Sequence, residues 1–331
     1  MTKENKKKRI LSGMRPTGKM HLGNFVGALE NWVELQNSNK YKNYHLIADY
    51  HVLTTNTDSS DILDNTLDMI SDWLAVGIDP EKSPIFRQSQ IKEHSELHLI
   101  FSMLITTARL ERNPTLKEQL QDLKVENITY GHLGYPVLQA ADILLYRGEV
   151  VPVGEDQAPH VEITREIARK FNKTYGKVFP VPKTKLTNFA RLPGLDRKKM
   201  SKSVGNTILI SDKKKEIEKK MMKAITDPKK IRLHDPGRPE ICLVFTYHQK
   251  FNPEEEREIK KNCKSGALGC VECKKRCAAA INDFLAPFRE KRNYYSKNKD
   301  EVLDIIKDGE KRAQKVALET MKRVHEVMKL G

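Results

Sequence analysis

Apolar positions change rhythm along this chain. Residues 9–12 (RILS) form a short apolar run that stops at Gly13. Residues 44–53 (YHLIADYHVL), 84–88 (PIFRQ) and 149–153 (EVVPV) form three more, the last stopping at Gly154. Short runs bounded by turn residues predict strands. Between them, apolar residues return every three or four positions. Ile62, Met69, Ile70, Trp73 and Leu74 predict a helix over 58–77 with Asp58 as its cap, and similar patterns predict helices over 95–111, 130–146 and 156–172. Strands separated by helices in this order predict an α/β fold, a parallel sheet covered on both faces.

The pattern breaks near residue 180. Residues 180–207 hold three prolines, two glycines and a dense basic cluster, and read as a loop. Beyond it the chain reads as charged helices over 212–225, 253–262, 270–292 and 299–329, the last interrupted at Gly309.

Composition narrows the class. A chain of 331 residues predicts about two domains, and 38% hydrophobic residues supply a core. No apolar run approaches the ~20 residues of a membrane span. The first nine residues, MTKENKKKR, carry charge but no apolar stretch, so no secretory signal is expected and a cytoplasmic location is. Five cysteines in such a chain predict core thiols or a metal site, not a disulfide framework. The net charge of +15 favours a polyanionic partner, nucleotide or nucleic acid.

Two segments carry that chemistry. GMRPTGKMHLGN, residues 13–24, lies where a strand ends and a helix begins. Its glycines allow close approach of a ligand, and the helix start presents amides and a positive dipole end to phosphate. His21 and Asn24 occupy the first turn as donors to phosphate or ribose. KKMSKSVGN, residues 198–206, places Lys199 and Lys202 in a flexible segment, and mobile ammonium groups suit a polyphosphate.

HLGN at 21–24 with KMSKS at 199–203 resembles the paired signatures of the class I aminoacyl-tRNA synthetases, with Asn24 where the first signature usually ends in histidine. YPVLQAADILLY (135–146), VPVGEDQ (151–157) and HVEITREIARKFN (160–172) are similar to the tryptophanyl branch of that family. The resemblance implies a Rossmann-like catalytic domain over 1–195 and a KMSKS loop over 196–206. A helical anticodon-binding domain over 207–292 and a C-terminal helical segment over 293–331, packing back on the catalytic domain, would follow. It implies a homodimer that joins L-tryptophan to ATP as an adenylate, with Mg²⁺ on the phosphates, and then passes tryptophan to the terminal ribose of tRNA(Trp).

Site roles follow from the same resemblance. Lys199, Lys202 and Lys117, with His21, are expected to stabilise charge on the phosphates. Arg15, Thr17, Gly23, Asn24, Gly154, Glu155, Asp156 and Leu192 are expected to face ATP, together with Met200, Ser201 and Ser203 of the second signature. Gln139 and Asp142, three apart, share a helical face. The indole N–H only donates, so its pocket needs an acceptor, and Asp142 matches the family's. Tyr135 and Gln157 match residues on the substrate's amino group; His51, Gly13 and Val153 match pocket walls. Gln139 stands where many bacterial tryptophanyl enzymes have methionine, while the tyrosyl enzymes also pair a Gln with an Asp. Tyrosine specificity is therefore the alternative substrate. A non-catalytic RNA-binding paralogue would show a damaged signature, and neither signature is damaged. A nucleotidyltransferase that never meets tRNA would not need the helical domain.

Cys242, Cys263, Cys270 and Cys273 read C-x20-C-x6-C-x2-C, with Cys277 one turn further on. A CxxC pair with two more thiolates suits zinc or an iron–sulfur cluster equally. A subset of the bacterial tryptophanyl enzymes carries a [4Fe–4S] cluster on similar spacing, which implies the cluster here, with structural Zn²⁺ as its rival. Lys274, Lys275 and Arg276 beside it are candidates for the tRNA backbone.

Overall fold

A computed structural model describes residues 7–117, 128–154, 158–186 and 192–330. Five strands, β1 (Lys8–Met14), β2 (Tyr41–Ile47), β3 (Ile85–Arg87), β4 (Val150–Val153) and β5 (Lys183–Leu186), form one parallel sheet in the order β3-β2-β1-β4-β5. The order reverses direction between β1 and β4, so their carboxyl ends diverge and open a crevice there.

Helices cover both faces. After β1 come α1 (Leu22–Asn24), a π-helical segment (Phe25–Leu29) and α2 (Glu30–Asn37). Then follow α3 (Asp49–Leu53), α4 (Ile62–Val76), α5 (Glu93–Ser102), α6 (Thr107–Glu111), α7 (Tyr130–Leu145) and α8 (Ala158–Thr174). The C-terminal part is α9 (Lys214–Met222), α10 (Leu243–Phe251), α11 (Glu256–Lys264), α12 (Cys270–Lys297) and α13 (Lys299–Met328).

Two apolar cores result. One joins Leu22, Phe25 and Trp73 to Leu243, Tyr247 and Ile281, so the C-terminal helices share the core on that side of the sheet. The other buries Leu46, Phe86, Phe101 and Leu144 against Ala313 and Val324 of α13.

Four elements differ from the pattern reading. The run over 44–53 is a strand only to Ile47; the Ala48 amide bonds the Met14 carbonyl, and residues from Asp49 turn into α3. The helix over 95–111 is two helices, because Met103 and Leu104 close tight turns onto Ile100 and Phe101. β5 lies inside the presumed loop: KTKL has no apolar run, and its ladder with β4 makes it a strand. Gly309 does not interrupt α13. It is buried in mid-helix, where the missing side chain lets the helix press on the backbone of Ile85. Asp58 caps no helix either; it accepts the Ser60 amide in the preceding turn.

Candidate active site

The crevice at β1 and β4 holds a cavity of about 320 Å³. Gly13, His51, Tyr135, Gln139, Asp142 and Val153 all line it, joined by Arg15. These were the pocket residues expected from motifs on β1, α3, α7 and β4. Gln157, Glu155 and Asp156 lie outside the described residues, and Gly154 directly follows β4.

Asp142 is the polar centre. Its Oδ1 accepts from Gln88 Nε2 at 2.7 Å and from His94 Nδ1 at 2.6 Å, while Oδ2 pairs with His51 Nε2 at 2.9 Å. Burial alone would raise the carboxyl pKa, but the hydrogen bonds and charges of His51 and His94 outweigh it and hold the group far below the usual range. The group is an ionised acceptor, so His94 Nδ1 donates to it, and His94 Nε2 lies 3.0 Å from the Tyr146 hydroxyl. Tyr135 Oη meets His160 Nε2 at 2.7 Å, and His160 Nδ1 meets the Asn113 amide nitrogen at 3.0 Å. This chain ties the cavity wall to the segment bearing Lys117, which is exposed and outside the cavity lining. Burial raises the Tyr135 pKa and lowers that of Arg15.

In the HLGN segment several backbone amides are already bonded within the fold. His21 Nδ1 accepts the Asn24 amide and Asn24 Oδ1 accepts the His21 amide, a reciprocal cap at 3.1 Å each way. The Leu22 amide bonds the Ile208 carbonyl, and the Met20 amide bonds Asp72. The helix start is thus largely consumed internally and does not offer a row of unpaired amides to phosphate. Burial first, and Lys202 second, push the His21 pKa down to about 4. His21 is neutral, and with Nδ1 engaged as acceptor its proton sits on Nε2. Gly23 occupies the same short turn.

The second signature folds onto the first. Lys202 Nζ donates to the carbonyls of Thr17 and Lys19. Asn206 organises the loop, accepting the Ser201 amide and donating to the Lys199 carbonyl and to Asp196. Ser201 and Ser203 share a hydroxyl contact at 2.8 Å. Met200 and Leu192 are buried with Met20 and Leu22, and the Lys199 side chain is exposed. Leu192 therefore packs beneath the signatures and does not line the cavity.

Away from the crevice, three elements bring Cys242, Cys263, Cys270 and Cys273 together: the start of α10, the last turn of α11 and the first turn of α12. Burial, then Cys242, Cys263 and Cys270, push the Cys273 thiol up to about 12; burial and Cys242 also raise Cys263. A Cβ at Gly237 would lie 2.6 Å from Cys263 Sγ, so glycine leaves that thiol its space. Cys277 is fully buried in the helical core. Among the described residues, no group of three His, Cys, Asp or Glu is set to hold a metal ion. Arg276 is paired with Glu258 and Glu272, and Lys274 donates to the Met222 carbonyl; Lys275 is exposed.

Sequence reasoning missed Gln88, His94, Asp72 and Arg292. Each acts across the fold, and none lies in a signature.

Residues 3–286 match the family described as tRNA synthetases class I (W and Y). The chain is 48% identical over 326 residues to a tryptophan–tRNA ligase of Thermotoga maritima, covering 97% of this chain and 99% of that one. It is 42% identical over 395 residues to the corresponding ligase of Aquifex aeolicus, covering 97% and 100%. Its fold is similar to a tryptophanyl-tRNA synthetase from Campylobacter jejuni solved with ADP and tryptophan, at TM-score 0.88 and 34% identity, covering 97% and 100%.

Proposed function

The chain belongs to the class I tRNA synthetases of tryptophan and tyrosine, its activity is that of a tryptophan–tRNA ligase, and from that premise we propose how its residues divide the work. The observation that carries the substrate reading is the arithmetic at Asp142. A carboxylate has about four acceptor positions. Gln88, His94 and His51 fill three, which leaves one, on Oδ2, for the indole N–H. Tyr135, Gln139, His51, Gly13 and Val153 enclose the rest of the amino acid, and the family resemblance alone assigns Gln157 to its amino group.

The carboxylate of tryptophan attacks the α-phosphate of ATP, forming a C–O–P anhydride and releasing pyrophosphate. This step needs alignment and positive charge, not covalent help. Lys202, Lys199 and Lys117 supply the charge, Lys202 by leaving the carbonyls of Thr17 and Lys19. Neutral His21 donates through Nε2. Arg15, Thr17, Gly23, Asn24, Gly154, Met200, Ser201 and Ser203 are the residues assigned to the nucleotide; Glu155 and Asp156 take that role only by the family resemblance, and Leu192 supports the signatures from beneath. Mg²⁺, when bound with ATP, would be held mainly by phosphate oxygens and would supply positive charge beside the lysines. The 3′-terminal ribose of tRNA(Trp) then attacks the acyl carbon and AMP leaves. ATP–pyrophosphate exchange with each amino acid tests the assignment. Exchange driven by tryptophan alone is expected; exchange driven by tyrosine and not tryptophan would overturn it.

Three finer parts complete the reading. The four converging thiols of Cys242, Cys263, Cys270 and Cys273 would hold a [4Fe–4S] cluster, which when bound ties α10, α11 and α12 together. The convergence of these cysteines from three helices, with Gly237 leaving Cys263 Sγ its space, supports this over a core of inert thiols. A brown anaerobic preparation with iron and sulfide is expected; a colourless one with stoichiometric zinc would refute the cluster. Leu99, Met103 and Tyr130, exposed on and beside α5 and α7, support a homodimer, checked by light scattering. The surplus of positive charge and the exposed Ile231 and Leu233 beside the cysteines support a tRNA-facing surface. No described helix is long and apolar enough to cross a membrane, and a ligase for tRNA works in the cytoplasm.

A further inference from the structure

Beneath the two signatures lies a charged cluster that the reaction scheme does not use. Asp72, in the middle of α4, is 0% exposed. Its Oδ2 accepts the amide of Met20, the residue before His21, at 2.7 Å. Its Oδ1 accepts Arg292 Nε at 2.6 Å, and Arg292 Nη2 reaches Asp68 Oδ1 at 2.8 Å. Arg292 comes from α12, on the far side of the sequence. The same two carboxylates act electrostatically on the ammonium of Lys202, raising its affinity for a proton against the effect of burial. Two acids therefore face two cations. Arg292 makes the direct contacts, and Lys202 is left on the neutral carbonyls of Thr17 and Lys19.

We propose that Arg292 is a positioning residue that occupies Asp72 and Asp68, so that Lys202 stays available to the phosphates of ATP. This rests on Lys202 serving those phosphates, as argued above. A planar guanidinium with several donors suits two carboxylates at once, whereas an ammonium is a single mobile charge. With Arg292 removed, Asp72 keeps only the Met20 amide, and Asp72 and Asp68 both lose their guanidinium partner. Lys202, on which both carboxylates already act, is then drawn toward them and away from the nucleotide. The amino-acid cavity is untouched, because Asp142 has its own donors.

ATP–pyrophosphate exchange and single-turnover adenylation on the full-length enzyme test this. Arg292→Met is expected to lower kcat/KM for ATP about tenfold or more while KM for tryptophan stays within about twofold. The double variant Asp72→Asn/Arg292→Met removes the anion with its partner and is expected to return within about threefold of the parent. An unchanged ATP parameter in Arg292→Met, or a double variant as impaired as the single one, would overturn the proposal. If Arg292→Met does not fold, the double variant decides alone: near-parental ATP kinetics support the role, and a tenfold loss refutes it. Lys202→Ala runs alongside. Unimpaired adenylation in that variant would sink the reading of Lys202 itself, and with it this proposal, whereas failure confined to the Arg292 variants leaves that reading intact.

Discussion

Asp142 shows how one side chain becomes selective through its neighbours. Three donors hold it ionised and leave one acceptor position. Replacing it by Asn exchanges a charge-assisted hydrogen bond for a neutral one, a difference of about 1–2 kcal/mol, so KM for tryptophan should rise about tenfold with less change in kcat. An unaltered KM in exchange assays would remove Asp142 from the indole. His45 is a second residue whose surroundings decide its chemistry. It is fully buried, stacked on Trp32, and burial pushes its pKa down to about 3. His21 lies at about 4. Both folded values are depressed below the ordinary histidine value near 6.5. Between pH 4 and 6.5 the unfolded chain therefore binds protons that the native one refuses. The contribution of these two histidines is full above pH 6.5 and falls on acidification, by about 1.4 kcal/mol per pH unit for each fully depressed histidine, while Asp72, raised to about 6, opposes it over part of that range. Denaturant unfolding as a function of pH measures this, and His45→Gln should reduce the slope. The cavity residues were legible because each sits in a short motif on a predicted element. Gln88 and His94 were not, since they reach Asp142 from 54 and 48 residues away.

At the scale of elements, the KMSKS loop is held by its own internal bonds around Asn206, by Lys202 on the carbonyls of Thr17 and Lys19, and by Arg197 on those of Thr226 and Ile241. Lys202→Ala removes one mobile charge from it, and loss of a single such donor should slow adenylation about 10²–10³-fold. Single-turnover quench measurements check this, with tryptophan affinity as the quantity expected to stay still. Helix α13 shows the opposite kind of element, fixed by close approach. A Cβ at Gly309 would lie 1.9 Å from the Ile85 carbonyl oxygen. Backbone on both sides cannot yield cheaply, so Gly309→Ala should cost about 1–3 kcal/mol, read as a lower Tm. The periodic pattern located most helices because their apolar stripes face a core. It misplaced Gly309 as a break because a glycine that packs and a glycine that ends a helix look alike in sequence. It also missed β5, whose Lys-Thr-Lys-Leu run is made a strand by its ladder with β4 and by no apolar signal.

Over the whole molecule, the sheet and the C-terminal helices share both cores. The division in style near residue 180 was readable as a change in composition, but composition carries no information about which surfaces meet. Arg292 finds Asp72 across 220 residues, a pairing that only the folded chain creates. It rides on α12, whose 28 residues span about 40 Å and begin at Cys270. The two ends of that helix, one among the cysteines and the other beneath the ATP signatures, are joined by continuous helix that carries Pro287 between them. This limits how the enzyme can be shortened. A fragment cut after residue 206 would keep both signatures and the described amino-acid cavity. It would also leave buried Asp72 without its guanidinium partner and bare the apolar face that Leu243, Tyr247 and Ile281 cover. Such a minimal catalyst should aggregate, and restoring it calls for a neutral residue at 72 and a polar repaint of that face before any change at the active site itself.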